Sequence, residues 1–419
     1  FPYTTLFRSA SALAIYEFVE FMVNGGSPRY LFLMGKGRDA FDHRNADLLA
    51  SELKDLVPSA GVPGSDMAFS AGLNGTTFEP ALPTGRLTAS EPEQVAAYLN
   101  KIKEVEASGL NQLWRKQGLH LSGGIQPNEL VTFRFFMDGF KSAAEDIYWG
   151  GKITTIGKRD PSPVELISIA EQINDGLNLV TFFGHSSPGT IDLDIGHVSN
   201  PILGYDNPGK YPVFLINGCN AGNFFSNGVS FGEDWMLATG KGARGFMAHS
   251  SFGLVSTLKR YNDLFYSIGF NDSTFLKKGL GDIQQEVARQ YLQNYGNDIT
   301  AVTQAQQMVL LGDPAVRLFG TATPDYETND NELSLKSLDG NPVTALSDSF
   351  AIHIKVKNFG AGRQGELPVR VVRTLIDNTK ITYDSSFSAV LFHDTLQFKI
   401  KNSSAGSFGN NLFEVIIDP

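Results

Sequence analysis

Short apolar runs that end in glycine or histidine recur through the first three quarters of the chain. Three of them are long enough to predict strands buried on both faces: Leu177–Gly184, Tyr211–Gly218 and Ala243–His249. An earlier run, Arg29–Gly37, has the same character, and Gly151–Gly157 predicts a further strand. Helical patterns alternate with these runs. That alternation predicts an α/β fold with a mostly parallel sheet and helices on both faces.

The helical segments are recognised by apolar periodicity, and two also carry capping signals. Ser90 precedes Glu93 by three residues, and Ser162 precedes Glu165 by three, which is the spacing of a capping box. The predicted helices are Ala10–Gly26, Thr88–Ala107, Asn128–Tyr148, Ser162–Gly176, Ser230–Gly242, Asp282–Asn297 and Thr300–Pro314.

The last hundred residues have a different pattern. After a polar linker near Thr321, apolar and polar residues alternate with period two, and no helical segment follows. This alternation predicts an immunoglobulin-like β-sandwich over residues 321–419. The α/β region before it divides into an N-terminal part, 10–117, and a second part, 118–320.

Both ends of the sequence look cut. Phe1–Ser9 has no initiator methionine and back-translates to a common sequencing-library adapter, so we exclude it from the fold. We expect the real chain to begin mid-protein near Ala10, with any signal peptide lost, and the chain to be truncated after Pro419.

Composition excludes several classes of protein. Of 419 residues, 42% are hydrophobic and 19% charged, which is not the composition of a disordered chain. The net charge of −10 argues against a nucleic-acid partner. No apolar run reaches the roughly 18 residues of a membrane span. Cys219 is the single cysteine, so a disulfide scaffold is excluded.

Two candidate catalytic residues directly follow two of the predicted strands. His185 follows Leu177–Gly184 by one residue, and Cys219 follows Tyr211–Gly218 by one residue. Ligands of open α/β sheets bind outside the carboxyl ends of the strands. If the two strands are neighbours, the imidazole and the thiol converge, as nucleophilic catalysis requires. The N–H of Cys219 and an N–H just after His185 would then form an oxyanion hole.

Other interpretations of these residues stay open. A lone cysteine after an apolar strand is often a small buried hydrophobe, and a lone histidine is often structural. Ser186 sits in a sequence that begins like a serine-hydrolase nucleophile elbow, but no helical segment follows it. His249 is a second candidate base, although a pocket wall is the better interpretation.

A metal site has weak support. Asp192, Asp194 and His197 could ligate a metal ion, yet one Asp-x-Asp in a loop is more often a set of polar loop residues.

The segments GHSSPGTIDLDIG and YPVFLINGCNAGNFF resemble the gingipain-like cysteine peptidases, a family with a caspase-type fold. Further similar segments extend the resemblance over roughly Ala10 to Gly320. The resemblance implies a secreted or cell-surface endopeptidase of Gram-negative Bacteroidetes, with an immunoglobulin-like module after the catalytic domain. Relatives include digestive enzymes and a peptidase that removes sorting domains in type IX secretion.

Carried over by position, the resemblance makes Cys219 the nucleophile and His185 the general acid/base. The thiolate would be favoured by His185 and by a helix starting near Asn220. The first oxyanion donor is usually glycine in the family and is Ser186 here, which can donate if its φ is negative.

The resemblance also implies a substrate pocket. Its expected members are Gly218, the three residues His249, Ser250 and Ser251, and Asp66. Asp66 is either a pocket acid or a buried structural residue.

The expected reaction is acyl transfer through a thioester, resolved by water or by an amine in transpeptidation. No cofactor is expected, and structural calcium is left open. The expected partners are a protein or peptide substrate and the type IX secretion machinery. Two alternatives remain: a catalytically inactive surface-binding or adhesion protein on the same fold, and a serine hydrolase that uses Ser186.

Overall fold

The computed structural model describes residues 11–41, 55–344, 346–402 and 408–418. The adapter-like segment Phe1–Ser9 lies outside them. Ten strands belong to the α/β region: β1 (Leu31–Met34), β2 (Thr84–Leu87), β3 (Gln117–Ser122), β4 (Lys152–Gly157), β5 (Glu165–Leu166), β6 (Leu179–Phe183), β7 (Leu193–Asp194), β8 (Val213–Asn217), β9 (Gly245–His249) and β10 (Met308–Leu311).

Eight of these strands form one sheet in the order β1-β2-β10-β9-β8-β6-β3-β4, and β5 pairs with β7 separately. All neighbours in the large sheet are parallel except β9 and β10, which are antiparallel. The prediction of a mostly parallel sheet is therefore confirmed. The antiparallel pair separates a three-stranded block from a five-stranded block that runs the opposite way.

Helices cover both faces of the sheet. They are α1 (Ala12–Gly25), α2 (Pro92–Ala107), α3 (Pro127–Glu145), α4 (Ala170–Asp175), α5 (Phe231–Leu237), α6 (Val255–Asn271), α7 (Leu280–Tyr295) and α8 (Ile299–Gln307). Successive residues of β8 point to opposite faces, as strand geometry requires. Leu215 joins a core with α3, α6 and α7, whereas Phe214 joins a second core with α2 and α5.

Three sequence-based predictions in this region are wrong in part. The sequence pattern predicts one helix over Thr300–Pro314, but α8 ends at Gln307 and the chain continues as β10. The pattern also predicts a helix over Ser162–Gly176, yet Glu165–Leu166 forms β5 and, within this segment, only α4 is helical. The strand in Arg29–Gly37 covers only β1, where Met34 is exposed, so it is not a strand buried on both faces.

The helix cap predicted at Ser90 is displaced by one residue. The N-cap of α2 is Glu91, and the side-chain oxygen of Gln94, rather than a carboxylate of Glu93, accepts the backbone N–H of Ser90 at 2.7 Å. A glutamine at the third helical position serves this role as well as a glutamate.

The C-terminal region is a β-sandwich. Its strands are β11 (Tyr326–Glu327), β12 (Leu333–Ser337), β13 (Ser349–Asn358), β14 (Glu366–Thr374), β15 (Lys380–Ser388), β16 (His393–Lys401) and β17 (Leu412–Ile417). One antiparallel sheet contains β11, β12, β13 and β16, and the other contains β14, β15 and β17. Alternate apolar residues of both sheets form a shared core.

Lys116 joins the two regions. Its buried ammonium donates to the backbone carbonyls of Asn358, Gly360 and Leu391 at 3.1, 2.7 and 2.6 Å. Burial lowers the pKa of Lys116 to about 7. Of the helices in the described parts of the chain, none combines the length and apolar character needed to cross a bilayer.

Candidate active site

The carboxyl ends of β6 and β8 lie side by side. The two strands are parallel neighbours in which Phe183 pairs with Asn217. The N–H of Gly184 continues this pairing by donating to the carbonyl of Asn217 at 3.1 Å. His185 and Cys219 are each two residues past the last strand pair, and adjacent strands are about 4.8 Å apart. The register therefore brings the backbones of His185 and Cys219 to the same edge of the sheet, as the spacing predicts.

The loops after the two strands pack without space between them. The hydroxyl of Ser186 donates to the carbonyl of Cys219 at 2.8 Å. A Cβ at Gly218 would lie 2.1 Å from the Ser186 hydroxyl oxygen and 2.9 Å from the carbonyl oxygen of Gly184. Only glycine fits at position 218, so this residue sets the close approach of the two loops rather than serving as a side-chain wall.

His185 is oriented by a carboxylate. Its Nε2 lies 3.1 Å from Oε2 of Glu129, and within the described residues its Nδ1 has no hydrogen-bond partner. We assign the proton to Nε2 because it faces the carboxylate, which leaves the Nδ1 lone pair to act as a base. The centroid of the Phe133 ring lies 6.2 Å from that of the imidazole, in a tilted arrangement.

Glu129 is held in place by the start of α3. The same oxygen, Oε2, accepts the backbone N–H groups of Ile125 and Gln126 at 2.9 and 3.1 Å. Partial burial raises the pKa of Glu129, but these bonds and His185 outweigh it, so the pKa is lowered overall. The carboxylate is thus charged beside His185 at neutral pH.

Glu129 is not among the site residues predicted from the sequence. The signal that could have identified it is Gln126 followed three residues later by Glu129, which is a capping-box spacing at the start of a strong helical pattern.

Cys219 is partly exposed, and its thiol faces the loop after β9. Sγ lies 3.5 Å from the carbonyl oxygen of Gly253. The next residue, Asn220, has a φ of 59° and donates its N–H to the carbonyl of Ser251 at 2.7 Å. A left-handed residue other than glycine is uncommon, and asparagine tolerates it best. The turn presents the thiol at the sheet edge.

The helix expected near Asn220 does not exist. The chain after Cys219 forms turns, and the next α-helix is α5, which begins at Phe231. The helix-dipole contribution expected for the thiolate is therefore absent from this structure, and the residue after the thiol, Asn220, has a positive φ that is not helical.

The two predicted oxyanion donors are backbone N–H groups in the loops after β6 and β8. Those of Ser186 and Cys219 donate to no acceptor in the described part of the chain. Ser186 forms an antiparallel bridge with Ile191, in which the bonds are made by Ser187 N–H and Asp192 N–H instead. The φ of Ser186 is not positive. Its N–H can therefore serve as an oxyanion donor even though the residue is not glycine.

A cavity of about 190 Å³ adjoins the loop after β9. Phe252 and Leu254 line it and flank Gly253, whose carbonyl contacts the Cys219 thiol. The lining contains no acidic or basic side chain apart from His249; the full set is His249, Phe252, Leu254, Thr257, Ile299, Thr300, Thr303 and Gln304. Burial lowers the pKa of His249, so its imidazole is neutral at pH 7.

The predicted pocket residues differ in whether they line the cavity or are buried beneath the surface. His249 lines the cavity, and its Nδ1 lies 2.9 Å from the carbonyl oxygen of Ser251. Ser250 is buried, and its N–H donates to the carbonyl of Gln307. Asp66 is buried and forms a bidentate ion pair with Arg86 at 2.7 and 2.8 Å. This pairing favours the structural alternative for Asp66.

The three loop residues considered as metal ligands do not converge. Asp192 accepts the N–H of Gly124 at 2.7 Å, and Asp194 accepts that of Gly196 at 2.8 Å. His197 lies 3.7 Å from a carboxylate oxygen of Asp234. Over the described ranges, no group of three or more histidine, cysteine, aspartate or glutamate side chains is placed to hold a metal ion.

Comparison with solved structures defines the class of the fold. The chain is similar to an Arg-specific cysteine proteinase, gingipain R, with a TM-score of 0.58, 14% identity, and coverage of 93% of this chain and 88% of that one. A complex of the pro- and mature domains of RgpB from Porphyromonas gingivalis gives a TM-score of 0.57 at 14% identity, covering 97% and 89%. A structure described as a protease gives 0.53 at 15% identity, covering 97% and 87%.

The family follows from the sequence. The model of peptidase family C25 matches residues 7–319, and the chain belongs to that family, whose members are cysteine peptidases. A comparison with curated protein sequences gives no significant match. The resemblance to gingipain-like peptidases expected from the strand-end motifs is confirmed.

Proposed function

We propose that the protein is a cysteine endopeptidase in which Cys219 is the nucleophile and His185 the general acid/base. The observation that supports this proposal is the β6–β8 register, which brings the backbones of Cys219 and His185 to one edge of the sheet. Family membership supports the thiol chemistry.

The proposed reaction begins when Nδ1 of His185 takes the thiol proton and Cys219 Sγ attacks the substrate carbonyl carbon. Electrons of the C=O bond move to the oxygen, where the N–H groups of Ser186 and Cys219 stabilise the charge. Collapse of this intermediate breaks the C–N bond, and the imidazolium gives its proton to the leaving amine. Water then attacks the thioester with His185 as base, which releases the acid and restores the thiol.

Glu129 is a positioning residue in this scheme. It holds the Nε2–H of His185 and stabilises the imidazolium that forms when the thiol proton is removed. The thiolate itself is the nucleophile, so the proposed chemical steps use no metal ion or organic cofactor.

For the substrate, we propose a protein or peptide that places an uncharged, apolar side chain in the cavity beside the loop after β9. Phe252, Leu254 and Ile299 are exposed on its walls, and the buried His249 is neutral. A fluorogenic peptide library that varies one position at a time tests this preference. The proposal expects Leu, Phe or Met to exceed Arg, Lys, Asp and Glu at one position.

We further propose that the enzyme acts outside the cell or at the cell surface, with the type IX secretion machinery as a partner. The gingipain-like motifs and the β-sandwich after the peptidase region support this placement. Incubation with peptide amines separates hydrolysis from transpeptidation, because transfer yields a new amide product of greater mass.

Hydrolysis of a denatured protein by four purified chains tests the proposal: wild type, Cys219→Ala, His185→Ala and Ser186→Ala. Loss of activity in the first two variants with activity retained in Ser186→Ala supports the thiol mechanism. Activity lost only in Ser186→Ala would support the serine hydrolase. A folded wild-type chain without hydrolysis or reaction with peptidyl electrophiles would support the inactive binding protein.

A further inference from the structure

Three arginines surround a cavity of about 220 Å³ at the edge of the sheet opposite the candidate active site. Arg115 precedes β3, Arg244 precedes β9, and Arg317 follows β10. The amino ends of β3 and β9 lie at this edge, whereas His185 and Cys219 follow carboxyl ends. Leu318, Phe319 and Gly320 also line the cavity, so it adjoins the connection to the β-sandwich.

Arg244 is a buried cation without a carboxylate partner in the described part of the chain. Its side chain is almost inaccessible, and it makes one hydrogen bond, from Nη2 to the amide oxygen of Asn178. Its Nε is buried without a partner among the described residues. Burial, together with the smaller effect of the nearby charge of Arg115, lowers the pKa of Arg244 to about 10. A buried guanidinium left without an anion is energetically costly, because its desolvation is not compensated by an opposite charge.

The other two arginines leave the cavity positive. Arg115 uses Nε and Nη2 for the carbonyls of Gly109, Val105 and Ser108, which fixes its plane without neutralising its charge. Arg317 is exposed, and in the described chain it forms no ion pair. Glu106 is the one acidic residue of the lining and is exposed. Three cations against one carboxylate leave two positive charges uncompensated.

We propose that this cavity is an oxyanion-binding site, with Arg115, Arg244 and Arg317 as its cationic ligands. Guanidinium groups bind phosphate and carboxylate oxygens through paired N–H donors, and a cavity of this size admits a phosphate group. Asn178 connects the site to the domain junction, because its amide nitrogen donates to the carbonyls of Arg115 and Leu318. Binding therefore stabilises the segment that leads into the sandwich.

The test measures thermal unfolding of the full chain with inorganic phosphate, acetate or chloride at one ionic strength, followed by calorimetric titration of phosphate. A ligand that binds only the folded chain raises Tm in a saturable way. We expect such a rise with phosphate and none with chloride. A rise with acetate that exceeds that with phosphate supports the same oxyanion chemistry and identifies a carboxylate as the preferred group.

Arg317→Ala is the informative variant because the exposed side chain can be removed without opening the core. We expect it to weaken phosphate binding about tenfold, the effect of losing about 1.4 kcal/mol. Arg29→Ala removes another exposed arginine outside the cavity and should leave binding unchanged. Equal Tm changes with phosphate and chloride, or equal phosphate affinity in wild type and Arg317→Ala, would overturn the proposal. The same titration on Cys219→Ala keeps the result independent of peptidase activity.

Discussion

Replacing Glu129 with glutamine should remove the charge beside His185 and leave the local fold intact. The glutamine amide oxygen can still accept the N–H groups of Ile125 and Gln126, which the carboxylate accepts at 2.9 and 3.1 Å. Glutamine also occupies this helix position in capping boxes. The variant therefore separates the charge of residue 129 from its role at the start of α3.

The expected magnitude follows from the geometry. At 3.1 Å, the attraction between a carboxylate and an imidazolium is roughly 5 kcal/mol at an effective dielectric constant near 20 and roughly 1 kcal/mol in water. The His185 side chain is 41% exposed, so solvent screening places the value toward the lower figure. A loss of about 2 kcal/mol from the transition state lowers kcat/KM about 30-fold.

The assay is kcat/KM for a peptide substrate from pH 5 to 9, with Tm measured for each chain. The pKa of Glu129 is lowered, so wild type keeps this carboxylate ionised across the whole range. Glu171→Gln, an exposed glutamate in the first turn of α4, is the matched control and should behave as wild type. Wild-type kcat/KM and pH profile in a folded Glu129→Gln chain would refute the positioning role.

Three further predictions concern packing and buried charge. Gly218→Ala should lower both Tm and kcat/KM, because the added Cβ would lie 2.1 Å from the Ser186 hydroxyl oxygen and overpacking costs about 1–3 kcal/mol. Unchanged values would contradict the close approach of the loops after β6 and β8. Asp66→Asn should lower the free energy of unfolding by about 3–5 kcal/mol, measured with denaturant, because it leaves the buried charge of Arg86 without its carboxylate partner. A higher KM at unchanged stability would instead assign Asp66 to the substrate pocket. Lys116 has a pKa near 7 when folded and 10.5 when unfolded, so its contribution to stability increases as the pH rises between these values. The Tm of wild type minus that of Lys116→Met should therefore increase from pH 7 to pH 9, and a constant difference would argue against the lowered pKa.

The sequence predicted the centre of the molecule well. Continuous apolar runs identified β6, β8 and β9, because strands buried on both faces lack polar positions. The same runs placed His185 and Cys219 at strand ends, and the parallel register then brought their backbones together. A period of two likewise predicted β13, β14, β16 and β17 of the sandwich.

Other features depend on tertiary contacts that a linear pattern does not contain. The apolar run Met308–Leu311 is too short to distinguish strand from helix, and its antiparallel pairing with β9 is set by the whole sheet. Glu165 fits a helix cap by spacing, but pairing of β5 with β7 overrides that local preference. In the sequence, Glu129 has the spacing of a helix-capping residue, and nothing local indicates its contact with His185, which lies 56 positions away.

Covalent trapping with a peptidyl acyloxymethyl ketone, read by intact mass and peptide mapping, tests the proposed Cys219–His185 dyad. We predict one adduct per chain on Cys219, with labelling strongly slowed in His185→Ala and unchanged in Ser186→Ala. No adduct on folded wild-type chain, an adduct on another residue, or labelling of Cys219 at the same rate in His185→Ala would contradict the proposed dyad.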